Sequence, residues 1–103
     1  MAKSVVAFRL IEFDPNYTRV LVGEADFRNS KITDLGRLEV ITGSAYFDYS
    51  QVENLGNLTT IGGDADFTNS EVKNLGNLTT IKGNVYFGDR TDLRAEWKKR
   101  NNK

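Results

Sequence analysis

The chain has 103 residues, 39% of them hydrophobic and 27% charged, which is enough for one domain with a modest core and gives no sign of a second. Fourteen basic residues balance fourteen acidic ones, so no overall field favours nucleic acid or an anionic membrane surface. Cysteine and histidine are both absent, which removes disulfides, thiolate chemistry and the commonest general base and metal ligand.

Residues 4–13 alternate Val6, Phe8 and Leu10 with Ala7 and Arg9, the pattern of a strand with one buried face. That run is too short for a signal peptide or a membrane span, so a cytoplasmic protein without membrane contact is expected. Asp14, Pro15 and Asn16 then form a turn, with Pro fixing its own φ and Asp accepting a backbone hydrogen bond. A strand resumes over 17–22. Residues 1–21 are expected to form the N-terminal cap of the domain.

From residue 22 the chain repeats itself every twenty residues: 22–41, 42–61 and 62–81, with a fourth copy opening at 82 and failing after Phe87. A fixed period in this range marks an array in which each unit buries its apolar face on its neighbours. The constant columns are Gly23/Gly43/Gly63/Gly83, Ala25/Ala45/Ala65/Val85, Phe27/Phe47/Phe67/Phe87, Ser30/Ser50/Ser70, Ile32/Val52/Val72, Leu35/Leu55/Leu75, Gly36/Gly56/Gly76, Leu38/Leu58/Leu78 and Ile41/Ile61/Ile81. Ala and Phe stand two apart, the period of a strand with one face inward. Twenty residues leave no room for a strand plus an ordinary return helix, so each rung is expected to be strands and tight turns. Rungs should stack about 4.8 Å apart, with the phenylalanines forming a ladder. The glycines mark corners, and the serines are expected to bond orphan backbone groups rather than to act as nucleophiles.

Beyond Phe87, residues 88–103 form the C-terminal cap, with a helix expected over 90–100. Leu93 and Trp97 lie one turn apart on one face of it, placed to cover the last rung. Asp89, Thr91 or Asp92 is the expected cap residue. Lys98, Lys99 and Arg100 oppose the helix dipole, and a solvated helix end is the preferred reading of these three.

The run Ala45-x-Phe47-x-x-Ser50-x-Val52 resembles the core motif of leucine-rich repeats, with Ser where Asn or Cys is usual. The longer run Leu55-x-x-Leu58-x-x-Ile61-x-Gly63-x-Ala65-x-Phe67 is similar to the repeat of receptor L domains and of short leucine-rich proteins of bacteria and phages. Thr42 or Gly62 in place of the first leucine, Ala at a Leu position and the short period favour a compact, β-helix-like coil without a helical convex side. The fold expected is therefore mainly β: a short right-handed β-solenoid with an N-terminal β cap and a C-terminal helical cap. The resemblance implies protein recognition through residues projecting from the ladder of parallel strands.

The outward columns are Glu24/Ser44/Asp64/Asn84, Asp26/Tyr46/Asp66/Tyr86, Arg28/Asp48/Thr68/Gly88 and Asn29/Tyr49/Asn69/Asp89. In the first two, acids alternate with neutral residues, which avoids stacking like charges. The same face gathers carboxylates around tyrosines, as interfaces do, so Asp26, Tyr46, Asp48, Tyr49, Asp64, Asp66 and Tyr86 are the candidate protein-binding residues. Gly62-Gly63-Asp64-Ala65-Asp66 resembles calcium-binding glycine–aspartate repeats, but Ala65 replaces the required glycine and neighbouring rungs lack the ligands, so no metal and no cofactor is expected. The sequons at Asn16, Asn57 and Asn77 are read as repeat consensus. The function expected is non-catalytic: a module, of the kind a small inhibitor or adaptor is, that docks a protein, a basic one being favoured by the acidic columns. Such a module would be a monomer or weak oligomer. The rival reading is an assembly solenoid that joins copies through its ends or has no ligand of its own. An enzyme ranks last, because no base or nucleophile is visible.

Overall fold

Leu35, Leu55 and Leu75, twenty residues apart, are all buried, and so is nearly every other apolar column of the repeat. The computed structural model, which describes residues 14–28 and 30–101, winds the chain into a β-solenoid of about three turns. Each rung contributes two strands of two residues. They are β1 (Val20–Leu21), β2 (Ala25–Asp26), β3 (Val40–Ile41), β4 (Ala45–Tyr46), β5 (Thr60–Ile61), β6 (Ala65–Asp66), β7 (Thr80–Ile81) and β8 (Val85–Tyr86). Two parallel sheets result, β1-β3-β5-β7 and β2-β4-β6-β8, and a third line of contact begins at the Asp34–Asn54 bridge. The register is a constant twenty: Leu21 pairs with Ile41, Ile41 with Ile61, Ile61 with Ile81. Strand 17–22 enters the array as expected, shortened to β1. The strand expected at 4–13 lies outside the described residues.

Like residues therefore stack on like. Phe27 and Phe47 lie 5.0 Å apart with rings 5° from parallel, Phe47 and Phe67 5.2 Å apart at 6°, and Phe67 and Phe87 5.7 Å apart at 11°. A fully buried Phe contributes about 1.5–3 kcal/mol from area alone. Stacking adds about 0.5–1.5 kcal/mol per aromatic pair. The ladder is thus the largest apolar contribution of any column.

Polar side chains satisfy the corners. Ser30 and Ser50 Oγ donate to the carbonyls of Phe27 and Phe47 (3.1 and 2.7 Å) from buried positions, so the serine column does backbone work. At the opposite corner Asp34, Asn54 and Asn74 accept the amides of Gly36, Gly56 and Gly76 at 2.8, 2.7 and 2.9 Å. Gly56 has φ +59° and sits on the Gly36 carbonyl, where a Cβ would collide; Gly43 approaches the Gly23 backbone so closely that its Cβ would lie 2.7 Å from it. The turn at 14–17 lies beneath this stack: Asp14 accepts the amides of Tyr17 and Thr18 through its carbonyl, and Pro15 O accepts from Arg37 N at 2.8 Å.

α1 (Thr91–Asn101) closes the last rung, with Leu93 buried and Trp97 packed on the core. It also supplies hydrogen bonds that a further rung would have made. Leu35 N donates to Asn54 O above it, whereas Leu75 has no rung above and donates instead to the Glu96 carboxylate at 3.1 and 3.2 Å. Arg100 donates to Leu78 O at 2.6 Å and pairs with Glu96 at 2.8 Å, and Arg90 reaches Ser70 O at 2.8 Å while pairing with Asp92. Arg100 is thus a partly buried cap of the strand edge rather than a solvated helix end; Lys98 and Lys99 are exposed.

Phe67→Ala removes the ring held between two others and is expected to cost about 3–5 kcal/mol. Urea unfolding checks this, and a loss below about 1 kcal/mol would remove the ladder from its place in the core.

Candidate protein-binding face

The outward face of β2-β4-β6-β8 carries the candidate residues because Ala and Phe point inward on either side of Asp26, Tyr46, Asp66 and Tyr86. The structure brings them together unequally. Asp26 is only 7% exposed: its carboxylate receives the Arg28 amide at 3.0 Å and the Arg28 guanidinium at 2.8 and 2.6 Å. This pairing holds Asp26 below the usual carboxylate range and raises the pKa of Arg28. The same guanidinium lies 4.9 Å above the half-buried Tyr46 ring and 3.8 Å from Asp48. Arg28 is therefore the central residue of the lower face, although it was not among the expected contact residues. Its place one rung below Asp48 in the same column was the signal.

Two further carboxylates are anchored in the backbone. Asp66 accepts the Thr68 amide at 2.9 Å, and Asp64 accepts the Asn84 amide one rung above at 2.8 Å. Both are half-buried. Tyr49 and Tyr86 project to solvent, 66% and 50% exposed.

Asp48 and Tyr49 break the local rules. One Asp48 oxygen is buried and, among the described residues, has no hydrogen-bond partner. Burial, and then the charge of Asp66, push the Asp48 carboxyl above its ordinary value of 3.8. Tyr49 holds φ +57°, a left-handed backbone that a bulky aromatic rarely adopts; in the next rung the same position is Asn69 at +51°, a residue that tolerates it. Such an outlier costs on the order of 1–3 kcal/mol.

Among the described residues no group of three or more carboxylates is placed to hold a metal ion, and no helix is long and apolar enough to cross a membrane. No family model matches this chain, and neither a curated protein nor a solved structure matches it.

Tyr49→Asn is expected to raise stability by about 1 kcal/mol, because Asn accepts the left-handed backbone. Asp48→Asn is expected to stabilise at pH 7, by about 1 kcal/mol, through removal of a charge that burial and the Asp66 carboxylate disfavour. The raised native pKa means that ionised Asp48 opposes folding: its favourable contribution is complete only below pH 3.8 and is lost as pH rises through the native value. The advantage of the Asn variant should therefore vanish in acid. Denaturant melts of both variants at pH 7 and pH 3 measure these effects, and destabilisation at neutral pH would refute them.

Proposed function

We propose that this chain is a non-catalytic protein-binding module, akin to short leucine-rich-repeat proteins, that works in the cytoplasm and takes a basic protein segment on the β2-β4-β6-β8 face. The observation that carries this reading is the Asp48–Tyr49 pair. Two adjacent residues oppose folding of the isolated chain at the centre of an otherwise regular array, and positions that break local rules without a structural gain belong to sites of function. A cationic side chain from a partner would complete the Asp48 shell, and Tyr49, Tyr86 and Tyr46 offer stiff apolar contact beside it. Glu24, Asp26, Asp48, Asp64 and Asp66 outweigh the guanidinium of Arg28 on this face, so a basic segment would be steered towards it and the attraction would weaken with salt.

The assembly reading has less support. The apolar residues of the first rung, Leu21, Ala25 and Phe27, are already buried, and α1 covers part of the last, so the first rung offers no bare apolar floor for stacking on the last.

Capture of a partner by the immobilised wild-type chain, repeated with Tyr46→Ala plus Tyr86→Ala and separately with Asp66→Lys, tests the face. Loss of an aromatic anchor is expected to weaken capture by more than about tenfold, and charge reversal at Asp66 to reduce it and flatten its salt dependence. Undiminished capture by both folded variants would remove the face from the reading.

A further inference from the structure

The hydrogen bonds between rungs run upward in one sheet and stop. The amides of Ala25, Ala45 and Ala65 donate to the carbonyls of Ser44, Asp64 and Asn84 in the rung above, at 2.9, 2.8 and 2.9 Å. Those of Phe27, Phe47 and Phe67 donate to Tyr46, Asp66 and Tyr86 at 3.0, 2.9 and 2.7 Å. The corresponding groups of the last rung are the Val85 and Phe87 amides, and among the described residues neither has an acceptor. α1 does not serve them, since its capping bonds go to Leu75 and Leu78, and Arg90 just before it turns to Ser70. Between α1 and the free edge of β8 lies an open cleft of about 440 Å³. Val85, Phe87 and Trp97 line it, Arg94 and Lys98 stand at its rim, and no carboxylate contributes to its wall.

We infer that this edge binds an extended acidic peptide as one further strand beside β8. Two amides spaced two residues apart, with the Val85 carbonyl between them, are the hydrogen-bonding pattern that a strand of another chain completes. Apolar side chains two apart on the peptide continue the Ala and Phe columns over Val85 and Phe87, against Trp97. Flanking carboxylates meet Arg94 and Lys98, both exposed. A second copy of this chain fits less well. Symmetric pairing of two β8 edges would bring two sets of Arg94 and Lys98 together, and head-to-tail stacking would need a bare first rung, whose inward residues are buried. This site is separate from the acidic face and takes a ligand of opposite charge.

The probe is an acetylated, amidated heptapeptide, Glu-Glu-Val-Thr-Val-Glu-Glu, titrated into the full chain. Trp97 is the single tryptophan, so its fluorescence reports on the cleft directly. A saturable change is expected, together with slowed hydrogen exchange of the Val85 and Phe87 amides. The same peptide with Lys in place of Glu should bind at least about fivefold more weakly, and Arg94→Glu with Lys98→Glu should reverse that preference. N-methylation of the central Thr removes the donor to Val85 O and should abolish the protection. The proposal is overturned if the Lys peptide binds as well or better, if the N-methylated peptide protects the two amides equally, if the acidic peptide leaves them unprotected, or if the free chain already pairs with itself through this edge.

Discussion

Every rung of this molecule must fit on a copy of itself about 4.8 Å away, and that constraint governs the rest of the structure. A constant register of twenty residues places Phe on Phe, Leu on Leu and Gly on Gly along the whole coil. Strands of two residues would be negligible elements in isolation. Here the inner strands β3 to β6 are held from both sides by their counterparts and the outer ones from one side, and all face the same apolar interior, so cooperativity comes from stacking rather than from the length of any element. The corner residues obey the same rule: an Asx side chain at 34, 54 and 74 closes each turn over a glycine, and at Gly56 the neighbour in the stack leaves no space for a Cβ.

Stacking like on like suits apolar side chains and is unfavourable for charges, and this divides the molecule into a uniform interior and a varied surface. Carboxylates on the outward face alternate with Tyr, or are paired with Arg28, or are tied to a backbone amide. Asp48 keeps one buried oxygen without a partner despite its 3.8 Å contact with Arg28, and Tyr49 holds a left-handed backbone. They are the place where the sequence departs from what stacking favours, and for that reason they carry the functional reading. The two ends of the coil differ as well. The inward residues of the first rung are buried, while α1 supplies acceptors and donors to part of the last rung and leaves the β8 edge open.

Much of this architecture was legible in the chain. The period, the phenylalanine ladder, the backbone role of the serines and the terminal helix over Leu93 and Trp97 come from repetition and from side-chain spacing, which stacking amplifies. What was not legible depends on geometry between neighbouring rungs. The Asp34/Asn54/Asn74 column was not singled out, because a turn-closing role shows only when the glycine two residues on is seen to be left-handed. Arg28 looked like one variable residue among others, although it is held by Asp26 and lies over Tyr46. Arg100 read as part of a solvated helix end and Glu96 was not singled out, because their contacts with Leu78 and Leu75 arise from the tertiary placement of α1. The same limit applied to the seven candidate residues: alternation assigned them to one face but could not show that Asp26 is covered while Tyr49 and Tyr86 project.

The register itself can be tested by lengthening the coil. A second copy of residues 42–61 inserted after Ile61 adds one whole rung, and a parallel insertion lacking its last residue shifts every later column by one. If stacking in register holds the fold, the twenty-residue insertion gives a folded chain with an equal or higher denaturation midpoint and a larger denaturant dependence. The shorter insertion, which turns Phe67 and Phe87 away from the ladder, should unfold the C-terminal rungs. Equal tolerance of both insertions would contradict the account.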